Sequence, residues 1–409
     1  MKPIFSNFIS LSALQWVNYI LPLVTFPYLV RVLGVEIFGI LALVTAITSY
    51  LNIVVDYGFN VTAVNDIAKC TSKDKIEKGY SSILTVKIIL VSLCFVVMLC
   101  VVFLFDFFLD NLNLYLLSFG MVIGRSITTD WFFLGMNSAK YSAYINIFAK
   151  LIFTVLILWL VNNKDDYYLV PLFTSLGYIA SGLLSLIIVK AKFNIGFTFQ
   201  KKHIVKDYLK QNWHMFVTNI YTNIYATVGL IFLGIMTNNV IVGYYSIAEK
   251  IAHAAANLLI PFVQAIYPHM SKRACSNNKI FFSEVKIVSI VIFVFSVLMT
   301  LLLFKYDNLV VSIVTGEKDN QSTLSIFSIL IFLVITTPII TLYVHTLIIG
   351  KMQKYVRLAT RDALILSVVF MPIGIYWKSS EGVSIVVILT QVFLLLVFTY
   401  KIISLSRDL

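Results

Sequence analysis

The sequence predicts an all-α polytopic membrane protein: about twelve transmembrane helices in two six-helix lobes around a central cationic cavity, with both termini in the cytoplasm. Three observations predict it. Of 409 residues, 60% are hydrophobic and only 12% charged, with a mean hydropathy of +0.93, against an apolar share of roughly half in soluble domains. Apolar stretches of about twenty residues, the length that spans about 30 Å of hydrocarbon as a helix, recur along the whole chain. Lysine and arginine then alternate between crowded and sparse connecting loops.

The apolar segments fall at 8–30, 37–62, 83–105, 112–136, 141–161 and 168–189, then at 213–236, 240–268, 285–304, 323–349, 358–377 and 383–400. The polar stretch between the two sets, 190–211, carries Lys190, Lys192, Lys201, Lys202, Lys206 and Lys210. It reads as a basic cytoplasmic linker between an N-terminal lobe (1–189) and a C-terminal lobe (212–409). The segment after Lys2 runs past Pro22 without a small-residue cleavage site and reads as an uncleaved first span. LGVEIFG (33–39) has a loose echo in LGIMTNNVIVG (233–243), an offset that suits two duplicated halves.

The net charge of +12 would suggest nucleic acid in a soluble protein, but its placement makes it a topology signal. With the N-terminus inside, about 22 basic residues lie in cytoplasmic segments, about five outside and about four within spans. Asp106, Asp110, Asp165, Asp166, Asp307, Glu317 and Asp319 fall in the outer loops. No nucleic-acid partner is expected. The four cysteines lack metal-type spacing, so neither a disulfide framework nor a metal site is expected, and no cofactor is called for.

Ionisable residues inside the spans carry the functional signal. Each costs about 2.5–3.5 kcal/mol at mid-bilayer, so Asp56, Lys87, Arg125, Asp130, Lys150, Glu249 and Lys250 facing lipid together would cost roughly 20 kcal/mol. They are expected to line an interior. Helical periodicity agrees: Thr45, Thr48, Ser49, Asn52 and Asp56 share one stripe. Ser118, Arg125 and Thr129 share another, and Glu249, Lys250, His253, Asn257 and Gln264 a third. A surplus of cations in Arg125, Lys150 and Lys250, on different helices, invites an anion, and phosphate is the anion such side chains bind well. Asp56, Asp130, Glu249 and His253 are candidates to titrate with a coupling ion, H+ or Na+. Asn219, Tyr221, Asn223, Tyr225 and Asn257 are candidate sugar contacts, although packing and interface belts are the commoner use of such residues. Pro22, Pro261, Pro338 and Pro372 lie within spans and permit kinks.

An enzyme is not expected. The five histidines form no HExxH pair, and neither a glycine-rich phosphate loop nor a nucleophile elbow is present.

Several blocks resemble Wzx-type O-antigen flippases, a family of polysaccharide exporters. They are RVLGVEIFGIL (31–41), DYGFNVTAVNDIA (56–68), DWFFLGM (130–136), and VGYYSIAEKI (242–251) followed by LLIPFVQAIYPHMSK (258–272), in the family's order. The resemblance implies the multidrug/oligosaccharidyl-lipid/polysaccharide exporter fold in the bacterial inner membrane. The implied activity is alternating-access movement of undecaprenyl-pyrophosphate-linked O-antigen units from the cytoplasmic to the periplasmic leaflet, driven by an ion or by the potential. Implied partners are the lipid-linked oligosaccharide, membrane lipids, a saccharide polymerase and a chain-length regulator. Arg31 matches the family's Arg-x-x-Gly block and joins Arg125, Lys150 and Lys250 as a pyrophosphate ligand. Met136 and Asn137 depart from the acidic residue that the family often carries after the glycine. The competing readings are a cation-coupled multidrug exporter of the same superfamily and, further off, a membrane enzyme of saccharide assembly. A major-facilitator transporter does not fit the loop NDIAKCTSKDKIEKG (65–79).

Overall fold

The computed structural model describes residues 2–70, 72–104, 106–276 and 278–407, with side chains except at 2–16, 19–20, 106–107, 222–226, 268, 272, 275–276, 278–279 and 407. Among the described residues there is no strand. The chain forms two compact units, one of residues 1–37 and 41–220, the other of 38–40 and 221–409.

Helices α1 (Lys2–Asp56), α2 (Phe59–Lys69), α3 (Lys73–Leu104), α4 (Asp106–Leu109), α5 (Leu112–Ile127), α6 (Asp130–Gly135), α7 (Ala139–Leu160) and α8 (Leu169–Ile188) build the first unit. They are followed by α9 (Lys202–Met236), whose first part belongs to it. The second unit continues through α10 (Asn239–Asn257), α11 (Ile260–Ser276), α12 (Asn278–Lys305), α13 (Asp307–Thr315), α14 (Gln321–Leu330), α15 (Leu333–Ile349) and α16 (Gln353–Arg407).

Eight helical segments among the described residues are long and apolar enough to cross a membrane. Two are far longer than one crossing needs, because 55 helical residues would extend about 80 Å. Both are interrupted. In α1 the break is Gly34, at φ 80° and ψ 170°, a backbone that only a residue without Cβ adopts cheaply. In α16 Lys378 and Ser379 leave helical geometry, and the chain folds back on itself. The Tyr355 hydroxyl donates to the Val397 carbonyl 42 residues on, and Ser367 and Thr390 share a hydrogen bond of 3.3 Å.

Several expected single spans are broken. Segment 112–136 splits at Thr128 and Thr129 into α5 and α6; segment 240–268 splits after Asn257; and segment 37–62 ends its first helix at Asp56, followed by left-handed Tyr57 and Gly58. Pro261 therefore occupies the first turn of α11, where its missing N–H costs nothing, and does not kink a continuous span. Pro22, Pro338 and Pro372 do lie inside helices.

The α5–α8 contact sets the geometry of the first unit. Gly120 and Gly124, four residues apart, let α5 meet Ser175 and the Tyr178–Ile179 backbone at distances that admit no side chain: a Cβ on Gly124 would stand 2.3 Å from the Tyr178 carbonyl carbon. Small residues at this spacing drive helix association in lipid, where apolar burial gains little. The second unit's core gathers Phe281, Leu342, Leu347, Leu394 and Phe398 from α12, α15 and α16.

Candidate functional site

Asp56 is the last residue of α1, at the negative end of the helix dipole, where a carboxylate needs compensating cations. It has them. Lys87 Nζ of α3 donates to its Oδ1 at 3.1 Å, Asn60 Nδ2 donates to Oδ2 at 3.0 Å, and Arg125 Nε of α5 lies 3.7 Å from Oδ2. Lys87 is sealed at 1% exposure, Asp56 is at 17%, and Arg125 stays 36% exposed, so the looser partner is also the open one.

The break between α5 and α6 places the neighbouring charges. Arg125 lies in the last turn of α5 and Asp130 in the first turn of α6, each at the helix end whose dipole favours its sign. The amide freed at Thr129 donates to Ser185 Oγ of α8 at 2.9 Å, and the two hydroxyls are also bonded. Non-helical backbone at this depth is sustained because it is buried and capped by protein. The Asp130 carboxylate accepts from Ser142 and from Asn146 Nδ2 of α7, while Lys150 Nζ donates to Asn18 Oδ1. Arg125 also interacts electrostatically with Asp130, and Lys150 with both.

This array corrects the expectation of unbalanced cations. Arg125 and Lys150 do not stand alone: with Lys87 they face Asp56 and Asp130, and three cations against two carboxylates leave one net positive charge. Lys87, noted in the sequence as an intramembrane charge but not assigned to the site, is the residue that ties Asp56 down. On the hydroxyl stripe, Thr45, Thr48 and Ser49 each donate to the carbonyl four residues earlier, at 2.7–2.8 Å, so their protons are taken up within their own helix while Thr45 and Ser49 stay exposed.

In the second unit Glu249 accepts from the Tyr245 hydroxyl at 3.3 Å, one turn back. Among the described contacts Glu249 and His253, one turn apart on α10, do not bond each other. Lys250 is exposed, with its ammonium 4.3 Å from the Phe38 ring centroid. Asn257 ends α10, half-buried. Arg31 is exposed, and Asn219 and Tyr221 are half-buried in α9; the side chains of Asn223 and Tyr225 lie outside the described residues.

The sequence blocks singled out above pack against one another. In DWFFLGM the Trp131, Phe132 and Phe133 side chains are fully buried, in tilted and edge-on ring contacts with Tyr80, Tyr141 and Phe193, and Gly135 abuts Ile67 of α2. In the second unit Gly39 meets α10 so closely that a Cβ would stand 2.1 Å from the Asn239 carbonyl oxygen and 2.7 Å from the Gly243 nitrogen.

A family model described as "Polysaccharide biosynthesis protein" matches residues 4–274. The chain belongs to this family. It is 32% identical over 273 residues to a protein named for O-antigen transport in Escherichia coli (strain K12), covering 66% of each chain. A Shigella dysenteriae protein of the same name is 26% identical over 393 residues, covering 95% of this chain and 98% of its own. Among solved structures, an inward closed lipid II flippase MurJ superposes with a TM-score of 0.71 at 15% identity, covering 97% of this chain and 90% of that one. An inward-facing multidrug resistance MATE transporter of the MOP superfamily gives 0.68 at 14%, covering 95% and 99%. This polysaccharide biosynthesis protein is thus a multi-pass membrane protein with the MOP-superfamily fold.

Proposed function

We propose that this family member is a flippase that carries undecaprenyl-pyrophosphate-linked O-antigen units from the cytoplasmic to the periplasmic leaflet of the bacterial inner membrane. In this reading it has twelve passes, both ends cytoplasmic, and works by alternating access. The fold and the names of the relatives support transport of such a cargo, and the observation that carries the reading is Arg125. Its guanidinium is partly open, sits in an array of net positive charge and touches Asp56 only at 3.7 Å. A pyrophosphate presents the geometry that the arginine fork binds bidentately. Binding would draw Arg125 from Asp56, which keeps Lys87 as its partner. Lys150, Arg31 and Lys250 are the further cations of this reading. Asp56, Asp130, Glu249 and His253 are the groups through which H+ or Na+ would couple, and Asn219, Tyr221, Asn223, Tyr225 and Asn257 the sugar contacts.

The test is complementation of a strain lacking its own O-antigen flippase. The wild-type chain restores surface O-antigen; Arg125→Ala, present at equal level, leaves lipid-linked units on the cytoplasmic side. Full display by that variant would remove Arg125 from the mechanism.

The second reading, a cation-coupled multidrug exporter, draws on Asp56 and Asp130 and on the fold shared with multidrug transporters. It is separated by dye efflux: the flippase reading expects no extrusion of a cationic dye above background.

A further inference from the structure

A cleft of about 660 Å³ opens in the second unit between α12, α15 and the returning arm of α16, lined by Ser283, Lys286, Tyr343, Thr399 and Ser406 among apolar walls. It lies at the end of the unit where α11 finishes with Arg273 and α16 starts, followed by Lys354 and Arg357, with Lys401 on the returning arm. Its rim is apolar and open: Ile290 is 53% exposed and Ile403 45%. In a membrane protein such side chains meet acyl chains.

The polar content of the cleft is selective. Thr399 and Ser406 donate to carbonyls of their own helix, so they have no proton to give a ligand. Among the described contacts the Lys286 ammonium has no ion pair, and the Tyr343 hydroxyl has no acceptor. The one acid nearby in sequence, Glu284, lies 3.3 Å from both the His269 imidazole and the Arg273 guanidinium, and among the described residues no carboxylate lines the cleft. A lone cation and a phenol donor just inside an apolar rim suit a phosphate carrying acyl chains, and the absence of a carboxylate disfavours the ammonium of a zwitterionic headgroup.

The first unit repeats the device. A cleft of about 550 Å³ between α3 and the ends of α5 and α8 is lined by Tyr80, Lys190 and apolar residues, with Ile187 61% exposed on α8 beside it. Lys190, like Lys286, has no ion pair among the described contacts, and it too lies at the basic end of its unit.

We infer that each cleft holds the headgroup of an anionic phospholipid, its phosphate on Lys286 or Lys190 and its acyl chains along the neighbouring isoleucines. These sites are separate from the Arg125 array and independent of the cargo assigned to it.

Native mass spectrometry of the full chain in detergent tests this, with phosphatidylglycerol, phosphatidylcholine, inorganic phosphate and undecaprenyl phosphate titrated separately. Phosphatidylglycerol should be retained in preference to phosphatidylcholine, and inorganic phosphate should not be retained. Lys286→Ser should weaken one phosphatidylglycerol site about fivefold, Lys286→Arg should restore it, and Lys286→Ser with Lys190→Ser should weaken both. Equal retention of the two phospholipids, unchanged phosphatidylglycerol binding by the double variant, or a preference of these lysines for undecaprenyl phosphate would overturn the inference.

Discussion

Lys87 Nζ lies 3.1 Å from Asp56 Oδ1, with the lysine at 1% exposure, so a carboxylate at the end of α1 is locked to the middle of α3. A buried pair of this kind contributes little against an apolar substitute, yet losing one partner leaves a stranded charge. Lys87→Met is therefore expected to cost about 3 kcal/mol, read as a lowered melting temperature of the purified protein. Adding Asp56→Asn should recover most of that loss. Additive destabilisation in the double variant would show that the two side chains are not coupled.

The same logic applies to the break that positions Arg125 and Asp130. Ser185→Ala removes the acceptor of the buried Thr129 amide, a loss of about 1–3 kcal/mol. Amide hydrogen exchange should accelerate at Thr129 while the rest of α5 stays protected. Unchanged exchange at Thr129 would mean that Ser185 does not hold the break.

Two glycines give a contrast within the second unit. Gly39→Ala would place a methyl 2.1 Å from the Asn239 carbonyl oxygen, whereas at Gly350 the nearest atom is 3.5 Å away. Gly39→Ala should lose most of the monodisperse protein in size-exclusion chromatography, and Gly350→Ala should elute like the wild type. Equal yields would contradict the close approach of Gly39 to α10.

Much of the helical architecture was legible in the sequence because hydrocarbon thickness is a one-dimensional signal. Segments 358–377 and 383–400 read as separate apolar runs, and α16 does fold back between them, at Lys378 and Ser379. The packing signal in Gly120 and Gly124 was also there to be read. The partners of the charges were not. Periodicity assigns Asp56 to a face of its helix but does not say which helix passes opposite, so Lys87 was seen as a cost and not as a partner. Nor does periodicity show that the hydroxyls on such a stripe give their protons to the carbonyl four residues back, as Thr45, Thr48 and Ser49 do. The break at Thr128–Thr129 left no glycine or proline to mark it; its signal, two adjacent threonines beside Asp130, is weak.

Charge alone should not replace Arg125. Arg125→Lys keeps the cation but loses the planar fork, so it is expected to restore only a small part of surface O-antigen display relative to Arg125→Ala. Full display by Arg125→Lys would reduce the site to a simple positive potential.

The most direct measurement follows a fluorescent undecaprenyl-pyrophosphate-linked oligosaccharide in proteoliposomes, counting the fraction that becomes accessible to an impermeant quencher with time. The account predicts transbilayer movement by the wild type, slowed about tenfold or more in Arg125→Ala of equal folded yield, in line with the loss of one charge-assisted contact. Equal rates for the two proteins, or no movement of this cargo by the wild type alongside transport of a cationic dye, would contradict it.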